Sequence, residues 1–151
     1  MSSRDQDLSR LLHVSSAGRS APVTEHAAAL GQVISALRRT SESDIEASAR
    51  LQLAASILAR KADLYVLAEH FAQLAALSSA DERTDPRLST AVAIELANVA
   101  ICRGACDRAQ EHLARADESV LAEQPVRRAQ RHQPNAFLLY ECGDSRTALE
   151  L

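Results

Sequence analysis

The sequence predicts an all-α protein that is built from antiparallel helix pairs. Alanine and leucine supply 29 and 20 of the 151 residues, and both residue types favour helices. Only four glycines, four prolines and four aromatic residues are present, which disfavours sheets and turn-rich folds. Apolar residues also recur at steps of three and four, which is the period of an amphipathic helix. These observations together predict the fold class.

The chain divides into a short N-terminal segment and one long helical domain. Residues 1–20 are predicted to form a short amphipathic helix, over 4–13, followed by a linker around Gly18. Residues 21–151 form the predicted helical repeat domain.

The first half of this domain is predicted to hold three helices. The first runs from 22 to 39, and Ser43 with Glu46 predicts a capping box at the start of the second. The apolar face changes at 61–63, which separates the second helix from a third helix with its own apolar stripe. That stripe consists of Leu64, Leu67, Phe71 and Leu74.

The second half begins with a strong helix start. Asp85 is predicted to cap a helix over 86–103, with proline in its first turn. Gly104 is predicted to end that helix, and a further helix follows over 105–119. Beyond an ambiguous segment, helices are predicted over 135–142 and from 144 onward.

Charge and cysteine content restrict the function classes. The net charge of −3 lacks the basic excess with which proteins neutralise phosphates, so nucleic acid is an unlikely partner. No apolar run is long enough for a membrane span, and the polar N-terminus is unlike a signal peptide. The odd number of cysteines, three, predicts reduced thiols and a cytoplasmic protein.

Two segments of the domain look alike. Gly104 and Gly143 are 39 residues apart, and Ala109 and Ala148 have the same spacing. A third register lies about 41 residues before the middle copy and puts Asp63 in the place of Gly104. Glycine permits a tight turn, and alanine lets two helix backbones approach closely.

This pattern resembles the tetratricopeptide repeat family. The middle copy departs from it at Ala93 and Ala100, where the family usually has large aromatic residues, and the copies are longer than 34 residues. The resemblance implies a right-handed stack of helix pairs whose first helices line a concave groove. The matching positions are Leu96, Ala97, Gly104, Ala109, Leu113 and Ala116.

A narrower resemblance is to the class II chaperones of bacterial type III secretion. These are small, acidic, cytoplasmic proteins with a short N-terminal helix and three such repeats. The segment 68–77, the loop with Asp85, and the copies that contain Gly104 and Gly143 follow in the same order here. The resemblance implies that the chain binds another protein.

The resemblance also implies which residues face the groove. Phe137 and Tyr140 would serve as apolar anchors for a peptide, or they would pack in the core instead. The predicted groove residues are Arg50, Leu53, Ile57, Arg60 and Lys61 in the first copy, Ile94, Asn98, Ile101 and Cys102 in the middle copy, and Gln133, Phe137 and Tyr140 in the last.

No set of residues matches a catalytic motif or a cofactor-binding motif. Cys102, Cys106 and His112 are spaced like metal ligands, but the turn at Gly104 is expected to separate them. The basic cluster over 127–132 is expected to be a solvated helix face. No metal, no cofactor and no enzymatic activity are therefore predicted.

The sequence thus predicts an adaptor or chaperone that holds an extended or helical segment of another protein. A small helical enzyme or ligand-binding bundle and an oligomeric structural subunit are the alternatives. The last predicted helix is too short to cover Leu138, Leu139 and Leu149, so a homodimer through this end is expected, or failing that an obligate partner docked there.

Overall fold

The computed structural model describes residues 23–116, which form five α-helices and no strand within that range. The prediction of an all-α protein is confirmed for this part of the chain. The segment 1–20 and the helices predicted beyond residue 120 lie outside the described residues. The five helices are α1 (Val23–Arg39), α2 (Ile45–Lys61), α3 (Tyr65–Ser79), α4 (Pro86–Cys102) and α5 (Cys106–Ala114).

Aspartate side chains start two of the helices. Asp85 accepts a hydrogen bond from the Arg87 amide at 2.9 Å, with Pro86 in the first turn of α4, as the sequence predicts. The capping box predicted at Ser43 is wrong by one residue. Asp44 caps α2 and accepts from the Ala47 amide at 3.1 Å, because its carboxylate also complements the positive end of the helix dipole.

The last described helix is shorter than predicted. We expected α5 to reach residue 119, but it ends at Ala114. The amides of Arg115 and Ala116 bond to carbonyl groups three residues earlier, at 3.2 Å in both cases. This tightening of the final turn ends the helix.

The turns that follow α2 and α4 have the same geometry, 41 residues apart. Asp63 and Gly104 occupy equivalent positions with φ of 61° and 72°. In each turn the next residue, Leu64 or Ala105, donates its amide to a carbonyl five residues earlier, at 2.8 Å. These bonds satisfy carbonyl groups that the helix end would leave free. Asp63 therefore has the same left-handed backbone conformation as Gly104.

The left-handed turn gives a test of backbone conformation. A Cβ at Gly104 would meet no atom within 4 Å, so Gly104→Ala strains only the backbone. We expect it to lower the free energy of unfolding by about 1 kcal/mol in urea titrations. Asp63→Gly relieves strain but removes the hydrogen bond from Tyr65, so we expect a net change within about 0.5 kcal/mol. Equal effects of the two changes would contradict the equivalence of the turns.

Helix α2 lies at the centre of the described helices. Each helix packs on the next one along the chain, and α2 also packs on α4. One core cluster joins α1 and α2 to Ala68 of α3 and Val99 of α4, and a second joins α2 to α3 and α4. Fully buried alanines, among them Ala54 and Ala68, occupy the contact between α2 and α3 and allow the close approach expected of small residues.

None of the described helices combines the length and the apolar character needed to cross a membrane.

Candidate functional site

Most residues that were predicted to face a groove are accessible on α2 and α4. Their side chains are partly exposed, apart from Cys102, which is exposed more fully. Ile57 packs at the edge of the cluster between α2 and α4, whereas Ile101 packs toward α5. Asn98 is the position 41 residues after Ile57. We call these accessible residues the α2–α4 face: Arg50, Ile57, Arg60, Lys61, Asn98, Ile101 and Cys102.

Two predicted groove residues lie in the core instead. Ile94 is only 4 % exposed and packs with Ala116, and Leu53 is buried against Ala75 and Leu88. Neither side chain is offered to a partner in this conformation, because packing between helices already covers both. The binding roles of the accessible residues stay predictions.

The last part of the predicted groove falls outside the described residues. Gln133, Phe137 and Tyr140 belong to it, so the choice between groove and core for the two aromatic residues stays open.

A buried ion pair joins α2 to α4 beside this face. Arg60 donates from Nε to Glu95 Oε1 at 2.9 Å and from a terminal nitrogen to Oε2 at 3.0 Å. The Glu95 side chain is 4 % exposed and that of Arg60 is 23 % exposed. The two-point contact matches the planar guanidinium to the planar carboxylate and fixes the relative position of the two helices.

Ser56 connects this ion pair to α3. Its hydroxyl donates to the Ala68 carbonyl at 2.8 Å and lies 3.3 Å from Glu95 Oε1. The polar groups of three helices therefore meet at one point inside an otherwise apolar region. Buried polar groups of this kind are satisfied by one another, which specifies one arrangement of the helices.

Charge and burial act against each other at this site. Burial is the largest single influence on Arg60 and opposes its charged form. Attraction and hydrogen bonding to the Glu95 carboxylate, with weaker attraction from Cys102 and Tyr65, together outweigh burial, so the pKa of Arg60 lies above its ordinary value. The pKa of Lys61 is lowered by burial and by the positive charge of Arg60. Partial burial of the Cys102 sulfur, in a residue that is exposed as a whole, raises the pKa of its thiol. The end of α2 thus carries an ion-paired guanidinium and an ammonium group beside this thiol.

The arrangement gives Glu95 a structural role. Both of its carboxylate oxygens accept hydrogen bonds from Arg60, so neither is available as a general base. Glu95 is the buried carboxylate of the described residues. This accounting assigns Glu95 to the contact between α2 and α4.

Glu95 is a buried residue that the sequence-based predictions do not include. It interrupts the apolar run over 91–101. A lone acidic residue in a strongly apolar helix, 35 residues after Arg60, was the available signal. Buried charges need a partner, and Arg60 in the neighbouring copy was a candidate for it.

The cysteines do not form a metal site in the described range. Cys102 is a free, exposed thiol, whereas Cys106 takes part in a disulfide. No group of three or more metal-ligating side chains converges within residues 23–116. The prediction of reduced thiols is wrong for Cys106. The cysteines therefore no longer support the predicted cytoplasmic location. That location stays a prediction.

His112 of α5 makes stability depend on pH. Burial and the positive charge of Arg115 lower the pKa of its imidazole, whose Nδ1 is buried without a hydrogen-bond partner. The unfolded chain therefore binds this proton at higher pH than the folded chain, and stability falls as the pH drops from about 7 toward about 5. We expect His112→Gln to lose less stability over this range in urea titrations. Gln110→Ala, on the same helix, is the control and should keep the wild-type dependence.

Comparison with known proteins found no family model, no curated protein and no solved structure that matches the chain. The resemblances to tetratricopeptide repeats and to class II secretion chaperones therefore stay predictions.

Proposed function

We propose that the chain binds a segment of another protein on the α2–α4 face and acts as an adaptor or chaperone. The observation that carries this proposal is the contact between α2 and α4, two helices that end in equivalent turns. Alternate helices that pack side by side are typical of helix-pair repeats, in which the first helices form one continuous surface. The right-handed repeat stack is part of this proposal.

The chemistry of the α2–α4 face suits an acidic and partly apolar segment. Arg50, Arg60 and Lys61 supply cationic hydrogen-bond donors along α2, although the two guanidinium groups are already paired with carboxylates, and Ile57 supplies apolar area. Asn98 offers an amide that can both donate and accept hydrogen bonds to a peptide backbone. Because Arg50 and Arg60 already contact Glu46 and Glu95, their guanidinium groups are held in position before a partner arrives.

The test compares proteins that co-purify with wild-type and variant chains from the native source, identified by mass spectrometry. The variant Arg50→Ala/Asn98→Ala changes two accessible side chains, and we expect about tenfold less of the bound protein, which equals ~1.4 kcal/mol. Gln110→Ala, at an exposed position of α5, is the control and should retain the partner. Circular dichroism should show the same helix content for all three chains.

Retention of the same protein by the double variant and by the wild type would overturn the proposal for this face. Loss from the double variant together with the control would mean that binding requires another surface.

A further inference from the structure

The outer side of α3 carries an apolar surface that the α2–α4 face does not use. Val66 is 72 % exposed and Leu77 is 76 % exposed. Together with Leu64, just before the helix, they are the exposed large hydrophobic residues of the described range. Both side chains lie on the exposed side of the same helix, so one partner helix could contact both of them.

The exposed positions of α3 form one row. They are Val66, His70, Gln73 and Leu77, at steps of four, three and four residues. This is the spacing of the contact seam between two paired helices. We call these four residues the α3 seam. None of them carries a carboxylate, an ammonium or a guanidinium group, and Glu69, the acidic residue of α3, already contacts Arg103 and Arg108.

The order of apolar and polar residues along the α3 seam is the same in both chain directions. An apolar residue stands at each end and a polar residue at each of the two central positions. A second copy that runs antiparallel about a two-fold axis between residues 71 and 72 places Val66 opposite Leu77 and His70 opposite Gln73. The imidazole and the amide at the centre can then share a hydrogen bond, because each has a donor and an acceptor.

The shape of the surface matches this arrangement. A depression of about 590 Å³ lies at the start of α3, lined in part by Leu64, Val66 and Leu67. Leu77 projects from the other end of the helix, about 16 Å away along its axis at 1.5 Å per residue. An antiparallel pair would bring Leu77 of each copy next to the depression of the other. Such mutual fit of one surface to itself defines a symmetric dimer interface.

The equivalent side of α5 is acidic where the α3 seam is uncharged at the first two positions. At the offset of 41 residues, Val66 corresponds to Asp107 and His70 corresponds to Glu111, and both carboxylates are exposed. Pairing two copies through α5 would bring acidic residues together. The apolar seam is therefore particular to α3 and is not a general consequence of the helix-pair arrangement.

We propose that two copies of the chain associate through an antiparallel contact between their α3 seams. One helix of 15 residues gives an interface at the small end of the usual range, so the dimer exchanges with monomer as concentration changes. This contact is separate from the α2–α4 face, and it does not depend on the proposed function. It also differs from the homodimer that the sequence predicted through the C-terminal end.

Sedimentation velocity of the full chain over a range of concentrations tests the proposal. We expect wild type to shift from monomer to dimer, and Leu77→Glu and Val66→Lys each to remain monomeric. Both substitutions replace highly exposed side chains, so circular dichroism and the melting temperature should stay close to wild type. Gln110→Glu, at an exposed position of α5, is the control and should dimerise like wild type.

Mixing the two variants tests the antiparallel register. Association of a Leu77→Glu chain with a Val66→Lys chain places opposite charges across one end and leaves the original apolar contact at the other. We expect a dimer to form in the mixture at low salt and to weaken as salt screens the new ion pair. The wild-type dimer should be insensitive to the same salt.

Three results would overturn the proposal. The first is a wild-type chain that stays monomeric at all concentrations, which would mean that its own C-terminal segment or a different protein covers the α3 seam. The second is a dimer that survives both substitutions. The third is a mixture that stays monomeric, which excludes the antiparallel register.

Discussion

Leu58→Ala is expected to lower the free energy of unfolding by about 3 kcal/mol. Leu58 has no exposed surface and lies in the cluster that joins α1 and α2 to Ala68 of α3 and Val99 of α4. Removing three carbon atoms there loses apolar burial and leaves a cavity that neighbouring alanines are too small to fill. Urea titration at neutral pH measures the change.

Leu58→Met is the matched control for this prediction. Methionine nearly conserves the volume and can bend into an irregular space, so the loss should stay below about 1.5 kcal/mol. Equal losses for the alanine and methionine variants would mean that shape, and not the cavity, controls stability at this position.

The sequence predicts the starts and turns of the helices well, because those signals are local. Asp85 caps α4 through an amide two residues away, and Gly104 adopts the left-handed conformation that glycine favours. Where two neighbouring residues can both accept the capping hydrogen bond, local sequence rules place the helix start less accurately. Asp44 caps α2 although Ser43 had the better match to the capping-box pattern.

The side of each helix that faces a partner is harder to predict. Helix α4 is buried on most of its circumference, and every residue from 90 to 95 is buried. The apolar period therefore cannot distinguish a groove position from a core position. The repeat register implied by the family resemblance, which places Ile94 in the groove, does not account for this burial either. Only the packing of α4 against three other helices decides the question.

The exposed apolar residues of α3 could not be predicted either, because the sequence pattern alone does not show which apolar positions are exposed. The sequence predicts an apolar stripe of Leu64, Leu67, Phe71 and Leu74. The last three residues are partly buried, whereas Leu64 is 45 % exposed. Val66 and Leu77 lie on the opposite side, where an isolated apolar residue is common on protein surfaces. Only the structure shows that Val66 and Leu77 are exposed on the same side of α3.

The Arg60–Glu95 ion pair gives the second large expected effect on stability. Arg60→Met keeps much of the side-chain volume but leaves the Glu95 carboxylate buried without its partner. We expect a loss of about 3 kcal/mol in urea titrations, because a buried unpaired charge keeps the cost of leaving water. Glu95→Met should cost less, since Arg60 is partly exposed and its guanidinium can turn toward solvent.

The double variant separates the ion pair from the packing of α2 on α4. With both charges replaced by methionine, apolar contact takes the place of the salt bridge, and we expect most of the loss from Arg60→Met to be recovered. Arg50→Met is the control for an exposed pair, because Arg50 contacts Glu46 one turn away on the same helix, and it should cost about 0.5 kcal/mol or less. If Arg60→Met cost no more than this control, Glu95 would have access to water, and the α2–α4 face would rest on apolar packing alone.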